Sequence, residues 1–306
     1  MDQGVDGDQG LSAAGAGQGA LRPLSRALWR RPRLKLALLL SAPVGWLVVA
    51  YLGSLAVLLA SAFWSTDSFT GTIVRQPTTD NFTALLRGEV YRAITLRTVA
   101  LAAAVTVVDV VLGFPVAFFM AKVARRRWRP LLLAAVLTPL WASYLVKAYA
   151  WRVMVGSGGV LDWALEPLGL HGPGFGLTAV WLVLSYLWLP YMILPIFAGL
   201  DRLPDSLLEA SSDLGAHAFR TFRSVILPLA LPAVVAGSIF TFSLTLGDFV
   251  AVNIVGGKTQ MIGNVIYANV GAANNLPFAA ALACVPVVIM VVYLLAARRA
   301  GALERL

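Results

Sequence analysis

The chain has 306 residues, 59% of them hydrophobic and only 13% charged, with a net charge of +9 and a mean hydropathy of +0.79. Soluble domains carry about 25% charged residues, so these proportions exclude an ordinary soluble protein and define a polytopic membrane protein. The one cysteine, Cys284, excludes a disulfide framework within the chain and any cysteine-based metal cluster.

Residues 1–21 are Gly-, Ala-, Gln- and Asp-rich and too poor in large apolar groups to order themselves. With the arginines up to Arg33 they predict a disordered basic cytoplasmic tail over 1–34. An apolar run follows from Leu36 to about Phe63. Ala60-Ser61-Ala62 mimics a signal-peptide cleavage site, but the run exceeds the roughly 7–15 residues of such a segment, which predicts a retained helix. Five more runs, near 94–121, 131–155, 176–200, 227–250 and 279–297, are long enough to cross about 30 Å of hydrocarbon.

The connections between the runs alternate in character. Lys122, Arg125, Arg126, Arg127 and Arg129 follow the second, Arg202, Arg220 and Arg223 the fourth, and Arg298, Arg299 and Arg305 the sixth. By the positive-inside rule both termini are cytoplasmic, with a C-terminal tail over 299–306. Topology therefore accounts for the positive charge, and no nucleic-acid partner is needed. Residues 64–90 and the glycine-rich 156–175 fall outside. In 251–278, Met261, Ile262, Val265, Ile266 and Val270 recur at helical spacing and predict a helix on the outer membrane surface. Prolines inside the runs, among them Pro115, Pro139, Pro190 and Pro232, predict kinks.

A polar island, Leu207 to Pro228, separates the fourth and fifth runs. Pro204 and Asp205 favour a helix start, and Leu207, Leu208 and Leu214 fall on one side of that helix. Gly215 ends it, because glycine takes up a left-handed conformation without a Cβ penalty. A second amphipathic turn puts Phe219, Phe222 and Ile226 one way and Arg220 and Arg223 the other.

Glu209-Ala210-Ser211, three residues, Gly215, nine residues, then Val225-x-Leu227-Pro228 resembles the EAA loop of the integral-membrane subunits of ABC importers. Ser211 stands where a second alanine is usual, and Val225 where isoleucine is usual. Leu112-Gly113-Phe114-Pro115, Pro139-Leu140-Trp141 with Lys147, Gly256-Gly257 through Asn264, and Leu276-Pro277-Phe278 are similar to the polyamine-type permeases, so the likeness covers about 35–300. The resemblance implies an all-α type I ABC importer permease fold, with six transmembrane helices over 35–298 and a cytoplasmic coupling loop at about 201–228. It implies that Glu209, Ala210, Ser211, Gly215, Leu227 and Pro228 couple to a cytoplasmic ATPase dimer. A second homologous permease subunit and an extracytoplasmic substrate-binding protein are the other implied partners. The implied substrate is spermidine or putrescine, and the implied location a bacterial inner membrane.

No glycine-rich loop with a following Lys-Ser/Thr is present, so ATP hydrolysis belongs to another chain and this one is not an enzyme. No cofactor is implied. His171 and His217 lie in loops on opposite sides of the membrane and share no metal or catalytic site.

Ionisable residues inside a membrane cost about 2.5–3.5 kcal/mol each on insertion scales, which makes each a functional candidate. Asp109, deep in the second run, suits either an interhelical polar pair or the translocation path. Asp248, beside Gly247, suits the outer part of that path. Lys147 and Arg152 suit interfacial anchoring. Tyr144, Tyr186 and Trp188 could line a path for an organic cation by cation–π attraction, against the alternative of interfacial belting. Rival readings are an ABC permease for another small organic solute and a secondary transporter using Asp109 and Asp248 as ion-coupling carboxylates.

Overall fold

The computed structural model describes residues 32–67 and 70–299. The tails expected over 1–34 and 299–306 lie, except for their innermost residues, outside the described part. The first helix, α1, runs through Pro32–Trp46, a π-helical stretch Leu47–Leu52, and Gly53–Ser61. It belongs to a unit that closes at Ala60, and the remaining elements form a second unit from Ser61 onward.

In the second unit a short antiparallel hairpin, β1 (Ser65–Thr66) and β2 (Ile73–Val74), precedes α2 (Asp80–Arg87). Asn81 ties this segment together, its side-chain amide donating to the Ala62 and Trp64 carbonyls at 2.9 and 2.7 Å. Then α3 (Glu89–Phe118) continues through a π-helical end, Phe119–Val123. The widened turn begins four residues after Pro115, whose carbonyl accepts the Phe119 N–H, and it is closed by the Ala124 N–H bonding to the Phe119 carbonyl five residues back.

The third run differs from the single span expected over 131–155. It is two helices, α4 (Arg129–Trp141) and α5 (Tyr144–Val155), bent by 87°. Ala142 and Ser143 are both extended, with ψ of 139° and 138°, so two successive residues leave the helical ladder. Counting the bent pair as one span, the described residues supply six.

After α6 (Val160–Leu165), α7 (Leu177–Asp201) crosses the membrane and α8 (Ser206–Asp213) forms the polar island's first helix. Its expected second helix is no separate element. Ala218–Thr221, a π-helical Phe222–Ile226 and Leu227–Gly247 make one helix of 30 residues, α9. Pro228 does not break it, because the N–H just before it, on Leu227, already bonds five residues back to Phe222. On the far side lie α10 (Val250–Val255) and α11 (Ile262–Val270), and α12 (Leu276–Arg299) is the last span.

The core is built by α3, α7 and α9. Towards the start of α3 and α7, Leu101 and Val105 pack with Val180, Val183, Leu184 and Leu187. Towards their ends, Phe114, Ala117 and Met120 pack with Met192, Ile196, Leu200 and Ala230. Numbers rise together in both sets, so α3 and α7 run parallel. Lipid tails are as apolar as leucine, so helices in a membrane gain by close approach over small residues. A Cβ added at Gly199 would stand 2.5 Å from that of Ala233, and one at Gly237 would stand 2.7 Å from the Met192 sulfur. The last span joins through Phe242, stacked on Tyr293 at 4.8 Å, and a Ser238–Tyr293 hydroxyl pair at 2.6 Å.

Most of the apolar side expected to face lipid is spent on protein instead, and of the five residues only Val270, at the end of α11, is exposed. Met261 and Ile262 are buried, and Val265 and Ile266 pack with Leu85, Phe278 and Leu282. Spacing reveals an apolar face but not what covers it.

Candidate functional site

The polar island is locked to the ends of the core helices. Where α8 stops, Gly215 has φ +74°, its N–H bonds to the Ser212 carbonyl at 2.8 Å, and the Ala216 N–H bonds to that of Ser211 at 3.1 Å. This paired closure of a helix end requires a left-handed residue after the cap, the place glycine fills at least cost. Ser211, the departure from the usual alanine, is buried and shares a 2.9 Å hydroxyl hydrogen bond with Thr221 at the start of α9. Leu208 packs into the core with Phe222 and Ile226.

The leucines do not share a side as expected. Leu208 faces inward, whereas Leu207 is exposed and Leu214, beyond the helix end, is 88% exposed. Phe219 separates likewise from Phe222 and Ile226 and is 73% exposed. Glu209 and Ala210 are exposed beside them, and Leu227 and Pro228 lie in α9 with exposed side chains. The surface so formed has a carboxylate and several large apolar groups, Leu214 and Phe219 the most exposed, on a framework that is itself hydrogen-bonded.

Ion pairs reach this framework from the end of α3 and the start of α4. The Lys122 ammonium donates to Asp205 at 2.7 Å and to the Leu203 carbonyl at 2.6 Å, and Arg129 meets Asp201 at 2.5 Å. Asp205 makes no side-chain cap to α8. Its hydrogen bond to Lys122 and that group's charge hold its carboxyl below the usual carboxylate range. In the sequence these lysine and arginine residues registered only as topology signals.

A second cluster forms at the other end of the core. The Tyr144 hydroxyl donates to Asp248, whose other oxygen accepts the Ala251 N–H at 2.9 Å, so this buried carboxylate caps α10. Tyr144 stacks on Trp188 at 5.9 Å, and Trp188 meets Tyr191 edge-on at 5.9 Å. Tyr186 is not in this group. Two residues along a helix turn the side chain by about 200°, and Tyr186 meets Trp151 instead at 5.4 Å.

Sequence reasoning missed the hub Asn264. Its amide donates to Asn253 at 2.6 Å and to the Phe249 carbonyl at 3.1 Å, joining α10 to α11. The motif Met261-Ile262-Gly263-Asn264 was the available signal. Arg152, expected as an interfacial anchor, donates to the Ile254 carbonyl at the end of α10 at 2.7 Å. In the adjoining glycine-rich loop Asp162 accepts the Gly158 and Gly172 N–H groups at 2.7 and 2.5 Å, which lowers its pKa.

Asp109 is fully buried in α3, and neither carboxylate oxygen has a hydrogen-bond partner. Ser185 Oγ and Trp188 Nε1 on α7 are also buried and unpaired. An added Cβ at Gly113 would meet Met192 at 3.2 Å. One turn back along these parallel helices, Asp109 stands level with Trp188. Buried polar atoms are almost always paired, so this level of the core holds polar capacity that the chain's own packing leaves unused.

In the second unit, five crossings with a small-residue core, a hydrogen-bonded polar loop at one end of that core and a polar and aromatic cluster at the other suit a transporter's membrane subunit. Residues 110–300 match the family of binding-protein-dependent transport system inner membrane components, and the chain belongs to that family. It is 43% identical over 94% of its length to the inner membrane ABC transporter permease protein YdcU of Escherichia coli, covering 96% of that protein. It is 33% identical over 85% of its length to the spermidine/putrescine transport system permease protein PotB of E. coli, covering 95% of it. Among solved structures, a bacterial ABC transporter that imports alginate superposes with a TM-score of 0.62 at 18% identity, over 90% of this chain and 99% of that one. The MetNI methionine transporter gives 0.55 at 19% identity, over 75% and 99%. The protein is thus a multi-pass inner-membrane permease subunit of an ABC importer, a transport component and not an enzyme. That membership displaces the secondary-transporter reading of Asp109 and Asp248.

Proposed function

We propose that this chain forms one half of the translocation path of a polyamine importer and is driven through α8 and the start of α9 by a cytoplasmic ATPase dimer. The observation that carries the coupling reading is the exposure of Glu209, Leu214 and Phe219 on a loop fixed by Gly215, Ser211 and Lys122. Large apolar groups on a rigid, otherwise polar surface suit a groove in a partner. Because α9 is continuous from Ala218 to Gly247, a push on the loop would turn a whole spanning helix and bias the subunit between inward- and outward-open states. A second homologous permease completes the path, and an extracytoplasmic binding protein delivers the substrate. The alginate transporter has been solved with a periplasmic protein that carries alginate.

Both termini are assigned to the cytoplasm, together with the basic loops around 126 and 216, because positive charge collects there. Cysteines introduced at 126 and 216 are expected to resist an impermeant thiol reagent on intact cells and to react once the membrane is opened. Labelling of either from outside overturns the topology.

A polyamine is supported by relatives named spermidine/putrescine permeases at 32–33% identity and by the chemistry of the core. Asp109 offers an unpaired carboxylate level with Trp188, and Tyr144, Trp188 and Asp248 form an acidic aromatic cluster that an ammonium group can enter by cation–π attraction and by competing for Asp248. Tyr186 with Trp151 offers a second, more exposed aromatic surface. Lys147 opposes a cation, which makes another small organic solute the competing substrate. Cells carrying the whole transporter are expected to show saturable uptake of labelled putrescine or spermidine, reduced about tenfold or more by Asp109→Asn or Asp248→Asn, as loss of a buried charge partner costs several kcal/mol. No saturable uptake in the parent rejects polyamines, and unchanged uptake in a variant rejects that residue's role.

A further inference from the structure

A groove of about 370 Å³ opens between the Arg97–Ala104 stretch of α3 and the first turn of α7, at the end of the core away from the polar loop. Ala100, Leu101 and Ala104 form its α3 wall and Leu177 part of its α7 wall, and its surface is almost wholly apolar. The two alanines explain the space, since a leucine at either position would fill it. The polar groups that do line it are of one kind. Arg97 is a permanent cation and Thr178 carries a hydroxyl, while Trp181 adds a ring to the wall with its indole N–H buried. No acidic residue lines the groove, and Arg97 is in no ion pair, hydrogen bond or ring contact among the described residues. On the same helix Leu96 and Val107 are exposed, as residues facing hydrocarbon are.

A cation and a hydroxyl in a hydrocarbon-lined slot, within a membrane, complement one class of molecule. We propose that the groove binds an anionic phospholipid, its phosphate on Arg97 and Thr178 and an acyl chain along Ala100, Leu101 and Ala104. The pairing answers the cost of Arg97, since a cation in a spanning helix needs a counter-charge or access to the headgroups. In a bilayer the competitor for the slot is another lipid with the same acyl chains, so selectivity rests on the phosphate and the guanidinium. The lipid then wedges α3 against α7 opposite the coupling loop, where it would favour one spacing of the two helices.

The test is native mass spectrometry of the complete transporter, released from nanodiscs of phosphatidylcholine with a minor fraction of phosphatidylglycerol. The parent is expected to retain one phosphatidylglycerol molecule in preference to phosphatidylcholine. Arg97→Gln is expected to lower that retention about fivefold, as about 1 kcal/mol per basic residue implies, and Arg97→Lys to keep most of it. Ala104→Phe, which fills the slot with the cation intact, is expected to abolish it. No preference in the parent, or parent-like retention in both Arg97→Gln and Ala104→Phe, overturns the proposal. So does loss of the second permease subunit from the Arg97→Gln complex, which would make the groove a protein interface.

Discussion

Replacing Gly215 by aspartate, or Glu209 by lysine, is expected to abolish transport while leaving the chain inserted in the membrane. At Gly215 nothing lies within 4 Å of an added Cβ, so the substitution meets no steric clash inside this chain. Its cost comes from φ +74°, about 1–2 kcal/mol for an ordinary residue and less for aspartate, which tolerates this region better than most. The fold therefore survives. What changes is the surface between Leu214 and Phe219, where a carboxylate now projects into the proposed ATPase contact. A desolvated, unpaired charge at an interface typically costs 2–5 kcal/mol, or about 30-fold and upward in affinity. Glu209→Lys reverses the charge on the exposed side of α8 and is expected to act similarly. The measurements are uptake by cells and binding-protein-stimulated ATPase activity of the reconstituted complex, with membrane content checked by immunoblot. Parent-level activity in either variant removes the loop as the coupling element.

The second large effect is structural and has an internal control. Gly199→Ala is expected to destabilise the subunit by roughly 1–3 kcal/mol, the usual cost of overpacking, because its new Cβ would lie 2.5 Å from that of Ala233 on α9. Removing the opposing methyl group clears the contact, since the Ala233 Cα is 3.9 Å away. Ala233→Gly alone costs about 1 kcal/mol as a glycine in a helix. The double variant should therefore be more stable than Gly199→Ala alone, which is the signature of direct coupling in a double-mutant cycle. Thermal unfolding of the detergent-purified complex reads all four proteins. Additive losses in the double variant would mean that α7 and α9 do not meet there.

Much was legible in the residues themselves. Long apolar runs marked the crossings because a bilayer sets a minimum length for a helix whose backbone must satisfy itself. Glycine at 215 marked the end of α8, and the structure has it left-handed with both cap bonds in place. Local chemistry decides both features, so a local pattern reports them. The same holds for the resemblance of Glu209 through Pro228 to the EAA loop, because the motif lies in one continuous stretch.

What the chain alone could not decide were matters of partner and direction. Hydrophobic spacing put Leu207, Leu208 and Leu214 together, whereas packing against Phe222 buried only Leu208 and the helix end turned Leu214 out. An amphipathic period fixes which residues share a face but not which neighbour takes it, and so α11 was read as lying on lipid when Phe278 and Leu282 of α12 cover Val265 and Ile266 and leave Val270 exposed. The break at Ala142-Ser143 inside an unbroken apolar run left no mark in hydropathy, since both halves remain equally insoluble in water. Asp248 was legible as a candidate for the outer part of the path but its partners were not, since Tyr144 is 104 residues away in sequence and the Ala251 N–H is presented only when α10 forms. Asp109 is the converse: the sequence marked it as costly, and only the tertiary structure, by burying it without a partner level with Trp188, left that cost unanswered within the chain.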